Sequence, residues 1–181
     1  VGILALVVVF QPELRAALER VGRGPAQRAV AGDPVKEIMA AVRDLAARKV
    51  GALIAIERAT PLGEYGQQGM ALATPVRAEL IQTLFDSHGP LHDGGLIVRG
   101  DQIAWAGAIF PLSEQQEGWE AQLGTRHRAA MGLTEVSDAL VIAVSEERGT
   151  VSLARDARLT TDVAPSDLVK ALREAYGEAG R

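Results

Sequence analysis

Three short clusters carry residue types that could do chemistry. In Leu91-His92-Asp93-Gly94-Gly95 a carboxylate and two glycines stand at the mouth of an apolar run. Glycine lets a backbone come close to another group. A carboxylate held there could bind a divalent cation or accept a proton from a hydroxyl. Asp and Gly are also the commonest turn residues, so by spacing alone the cluster reads first as a solvated turn. The second cluster is Gly124-Thr125-Arg126-His127-Arg128, where a helix is expected to begin. Its plain reading is an exposed first turn. Cations are disfavoured at a helix N-terminus, however, and a bound anion removes the mismatch. Backbone N–H groups, the Thr125 hydroxyl and two guanidinium forks suit a chain of phosphates. The third is Ser145-Glu146-Glu147 at the end of an apolar strand. It reads as acids in a hairpin turn, or as a hydroxyl for phosphate and one glutamate joining Asp93 on Mg2+ or Mn2+.

Other chemistries find no support. The chain has no cysteine, which removes disulfides, zinc–thiolate sites, iron–sulfur clusters and a thiol nucleophile. His88 and His127 lack a zinc-like spacing. Neither a P-loop nor a G-x-S-x-G elbow occurs. A net charge of −4 argues against a general grip on nucleic acid, so the cationic run 124–128 points to a small anion.

The elements that must position these clusters follow from patterning. The 181 residues, 48% hydrophobic and 23% charged, suit one globular domain with a full core. Residues 1–10, VGILALVVVF, are wholly apolar but too short to span a bilayer, which needs about 20 residues. They are expected to be the remnant of a transmembrane helix, with a buried strand or helix end as the alternative. Residues 11–28 follow with four arginines against two glutamates, a basic flank that marks a cytoplasmic face. They read as a juxtamembrane helix and linker, leaving 29–181 as the globular domain. Asp33-Pro34 predicts a helix start, and the apolar spacing carries that helix to 48. Residues 52–56 and 139–145 read as buried strands, and 58–73 as a mobile loop. Thr74-Pro75 is expected to open a second helix. GLIVR and QIAWAGAIF form a hairpin about Gly100-Asp101. Thr125 is expected to cap a helix to about 136. TVSLA, 150–154, follows as a strand, and a last helix starts at Ser166-Asp167. The fold class expected is α/β, one globular domain with a mixed central sheet covered by helices on its faces.

Taken in order, GALIAIER (51–58), LHDGG (91–95), FPLS (110–113), GTRHRAAMGLTEVSDA (124–139) and VSEERGTVSLA (144–154) resemble the diadenylate cyclase family, which makes cyclic di-AMP from two ATP. FQPELRAALERVGRG at the start resembles the segment after the last membrane helix of the membrane-anchored CdaA type. One departure is that the family's Asp-Gly-Ala is Asp93-Gly94-Gly95 here.

The resemblance implies a nucleotidyltransferase with a fold like the nucleotide-binding domain of DisA. Asp93 would help activate a ribose 3′-hydroxyl and hold metal, with Gly94 letting the nucleotide lie close. Gly124, Thr125, Arg126, His127 and Arg128 would bind the triphosphate, and Ser145 would add a hydroxyl contact. Glu147 would be the second acidic metal ligand, with His92 near the same ion. Gly95 and the stretch Ile109, Phe110, Pro111 and Leu112 would line the ATP site, backbone groups at Phe110 reading the base edge. The implied metal is Mg2+ or Mn2+, with Co2+ admissible. The implied partners are ATP, a second copy of the chain and the membrane, but no nucleic acid. A non-catalytic ATP or cyclic-dinucleotide sensor is the alternative; a phosphate-binding scaffold and a nucleotide hydrolase are further competitors.

Overall fold

The computed structural model describes residues 32–114 and 124–178. The expectations for 1–10 and 11–28, and for the domain boundary at 29, lie outside those residues. Asp33 caps the first helix, α1 (Pro34–Ala47), its carboxylate accepting from Val35 N at 3.0 Å. Such a cap is worth about 1 kcal/mol. Strand β1 (Ala52–Glu57), the single turn α2 (Gly63–Gly66), β2 (Met70–Pro75) and α3 (Ala78–Leu84) follow. The hairpin β3 (Gly95–Arg99) and β4 (Gln102–Ala108) leads to α4 (Thr125–Val136). Then come β5 (Leu140–Val144), β6 (Val151–Arg155), β7 (Arg158–Thr160) and α5 (Pro165–Glu178).

The seven strands form one mixed sheet in the order β2-β4-β3-β1-β5-β6-β7. Only β1 and β3 pair in parallel, and every other neighbouring pair is antiparallel. The expected α/β architecture is thus observed. β5, and β1 up to its last residue Glu57, are apolar because they are central and buried on both faces. Ile54 and Ile56 join Leu140 and Ile142 beneath α1, α3 and α5. Leu53 and Ala55 join Val141 and Ala143 beneath α4.

Three local expectations are corrected. Residues 58–73 are not simply a loop: they contain α2 and most of β2. Asp138 fastens their start, accepting from Ala59 N at 3.0 Å and Thr60 N at 2.9 Å. Thr74-Pro75 ends β2 rather than opening a helix, since Pro is tolerated on an edge strand. The following helix begins at Ala78, whose N–H donates to Glu37 of α1 at 2.9 Å. Thr125 is not a cap but the first helical residue; Gly124 holds the cap position and offers no side chain.

Candidate active site

The parallel pairing of β1 with β3 decides where the clusters meet. β3 starts beside the middle of β1, with Ile54 opposite Leu96, and β5 runs back along β1 so that Ala52 faces Val144. The end of β4 returns to the start of β3, Ala108 opposite Gly95. One end of the sheet therefore gathers the turn before β3, the exit of β4 and the exit of β5. The N-terminus of α4 lies over it.

A cleft of about 580 Å3 opens there. Asp93, Gly94, Ile109, Phe110, Leu112, Gly124, Thr125, Arg126, His127, Ser145 and Glu147 all line it. Asp93 and Arg126 thus share a cleft although they lie far apart in the chain. The volume is within the range of small-molecule sites. Ile109 and Leu112 are exposed at 50% and 45%.

Four of the expected residues do not line the cleft. Arg128 is turned aside, its Nε and Nη2 donating to the Ser113 carbonyl at 3.4 Å each. The reason is that contact, which draws the guanidinium toward the exit of β4, while His127 beside it lines the cleft. His92 is also outside, its Nδ1 donating to the Gly89 carbonyl at 2.6 Å. Pro111 packs its carbonyl against Gly132 of α4, where a Cβ would stand 2.2 Å from that oxygen. Gly95 lies behind Phe110.

The glycines before β3 accommodate the protein's own backbone and side chains. Gly94 has φ +142°, and a Cβ there would lie 2.8 Å from the backbone of Gly107. Ser113, buried, ties the exit of β4 to α4: its N–H donates to the Arg128 carbonyl at 3.0 Å and its Oγ to Glu135 at 2.6 Å. The cleft wall formed by 109–113 is therefore fixed to the helix that supplies Arg126.

Leu53, Ala108, Ala129, Val144 and Glu146 also line the cleft, and of these only Glu146 lay in a cluster the sequence singled out. Four of them are small or apolar residues at strand ends or on α4, with no chemical signal of their own. Glu146 stood inside the third cluster. It accepts from Arg126 Nη1 at 2.7 Å, and the pair sits over Gly51, whose missing Cβ leaves the guanidinium room. His127 is buried, and its pKa is lowered by burial first and then by the charges of Arg148 and Arg126. The imidazole is thus held neutral at neutral pH.

No three of the His, Asp and Glu residues gather as a metal cage among the described residues. The donor set of the cleft is two carboxylates, Asp93 and Glu147, with Glu146 committed to Arg126. That fits a cation shared with phosphate oxygens, since Mg2+ is commonly held by one or two carboxylates plus substrate phosphates. Trp105 does not line the cleft; it packs against the core that includes Phe110, with the Arg99 guanidinium 4.7 Å from its ring centre and Glu57 paired to Arg99.

Residues 39–159 match the family model described as DisA bacterial checkpoint controller nucleotide-binding. The chain is 42% identical to the cyclic di-AMP synthase CdaA of Bacillus subtilis, over 97% of its own length and 66% of that protein. It is 39% identical to a diadenylate cyclase of Listeria monocytogenes, over 94% of its length and 65% of that protein. The chain thus spans just under two thirds of these relatives. Among solved structures, it resembles a double mutant of DacA from Staphylococcus aureus at 38% identity and TM-score 0.76, covering 79% of this chain and 95% of that one. A hypothetical membrane spanning protein from Bacillus cereus is similar at 35% identity and TM-score 0.69, covering 87% of this chain and 80% of that one.

Proposed function

The chain belongs to the DisA checkpoint controller nucleotide-binding family, and from that premise we propose that it is a diadenylate cyclase condensing two ATP into cyclic di-AMP. The observation that carries this reading is the meeting of Asp93, the α4 N-terminus with Arg126, and Ser145 with Glu147 in one cleft. The names of its relatives in Bacillus subtilis and Listeria monocytogenes support it.

In this mechanism the triphosphate lies against the first turn of α4. Free N–H groups there, the Thr125 hydroxyl and Arg126 hold its oxygens. The neutral His127 donates a hydrogen bond, and Ser145 adds another. The adenine rests between the exit of β4 and the apolar floor of Leu53 and Val144. The 3′-oxygen of one ATP attacks the α-phosphorus of a second. Its proton passes to Asp93, the bond to the β-phosphate oxygen breaks, and pyrophosphate leaves. The same exchange in the opposite sense closes the ring. Most of the catalysis is positioning and charge stabilisation. Asp93 and Glu147 are the residues that would hold Mg2+ or Mn2+, which offsets phosphate charge and lowers the pKa of the attacking hydroxyl.

Each chain has one such cleft among the described residues, while the product is a two-fold symmetric ring. Two copies must present their clefts face to face, which calls for an isologous contact. Attachment to the cytoplasmic side of the cell membrane completes the reading. Among the described residues no helix is long and apolar enough to cross a membrane.

The test is pyrophosphate release from ATP with Mn2+. Asp93→Asn is expected to lower the rate by about 10²–10⁴-fold, the range for loss of a general base. Asp93 is exposed, so stability should change by no more than about 0.5 kcal/mol. An Asp93→Asn chain as active as the original would remove Asp93 from the chemistry.

A further inference from the structure

Gly95, the first residue of β3, is buried behind the cleft wall. A Cβ added there would lie 2.3 Å from Phe110 Cε2, 2.5 Å from Cζ and 3.1 Å from Cδ2. No real Cβ sits that close to an aromatic ring, so the ring occupies the volume a methyl group would need. On another side Tyr65 meets the Phe110 ring edge-on, with centroids 6.4 Å apart and planes at 86°. The backbone beside it is fixed as well, Ile109 N donating to the Tyr65 carbonyl at 3.2 Å. Phe110 is only 6% exposed, yet it lines the cleft.

We propose that Gly95 is a positioning residue for the base: by lacking a side chain it lets the Phe110 ring recede from the cleft, and that recess admits the purine of the nucleotide. The inference rests on the reading of the cleft as an ATP site. The pattern this chain resembles carries alanine at position 95. In this chain that methyl would press on a ring held by Tyr65, and overpacked side chains move toward open space. The open space is the cleft. Gly95 and Phe110 are therefore one coupled unit, and substitutions at the two are non-additive, as expected for residues in contact.

The experiment compares Gly95→Ala, Phe110→Leu and the double variant with the original chain. Affinities for ATP and for pyrophosphate, which has no base, are measured beside kcat and KM for product formation. Gly95→Ala should weaken ATP binding about tenfold, a loss of about 1.4 kcal/mol, and raise KM to match. Its affinity for pyrophosphate and its kcat should stay within about twofold. In the double variant the shorter leucine frees the space, and ATP affinity should return to within about threefold of Phe110→Leu alone.

Unchanged ATP binding in Gly95→Ala overturns the proposal. So does an equal loss of ATP and pyrophosphate, which would mark general damage, or a double variant no better than Gly95→Ala. Should Gly95→Ala fail to fold, the double variant decides: folding and ATP binding support the coupling, and failure of both refutes it. An original chain that binds ATP but forms no cyclic dinucleotide refutes the cyclase reading alone, because the affinities still test Gly95. One that binds no ATP refutes both.

Discussion

Arg126 and His127 show how single residues set the cleft's response to anions. Arg126 is paired with Glu146, a side chain 64% exposed, so a triphosphate has to compete with that carboxylate for the guanidinium. Exposed pairs of this kind contribute about 0.2–1 kcal/mol. Glu146→Gln should therefore tighten binding of a non-reactive ATP analogue by up to about fivefold, read by calorimetry. Weaker binding would mean that Glu146 orients Arg126 within the complex instead. His127 gives a pH dependence whose sign is fixed by its lowered pKa. Between that lowered value and the ordinary 6.5 or so, the unfolded chain binds more protons than the folded one, so stability rises with pH through that window. Its contribution is complete above about pH 6.5 and is lost as pH falls through the folded-state pKa. The melting temperature should drop on acidification from about pH 7.5 to 5.5, and His127→Gln should flatten that part of the curve. An unaltered slope in the variant would assign the dependence to other groups.

The elements explain which parts of this arrangement could be read from sequence. β1 and β5 were legible because strands buried on both faces read as near-continuous apolar runs, here 52–56 and 140–144. α1 was legible because Asp33-Pro34 is a local start signal. β2 was not, since its outward residues are exposed and it lacks alternation, and β7 is only three residues long. The start of α3 was hidden because its cap comes from Glu37, 41 residues earlier. Within the site, Asp93, Arg126, Ser145 and Glu147 were found through residue type. Arg128 was grouped with them by residue type, but its guanidinium donates to the Ser113 carbonyl, a contact 15 residues back that no local pattern signals. The role of Gly132 was invisible, because it depends on the distant Pro111 carbonyl. Gly→Ala inside a helix normally stabilises by about 0.5–1 kcal/mol. Here a Cβ would lie 2.2 Å from that carbonyl oxygen, so Gly132→Ala should instead destabilise by about 1–3 kcal/mol in urea unfolding. A stabilised variant would show that the 109–113 wall is free to move away from α4.

For the whole molecule, the proposed two-fold symmetric product calls for two chains acting together, each supplying one nucleotide. Product formation per chain should rise with chain concentration and then level off as the face-to-face pair saturates. A per-chain rate independent of concentration, in a chain shown to be monomeric, would remove that requirement. The most direct measurement is chromatography of the products formed from ATP and Mn2+, with Asp93→Asn in parallel. Cyclic di-AMP and pyrophosphate, both lost in the variant, are the predicted result. Free phosphate, AMP or unconsumed ATP from the original chain would contradict it.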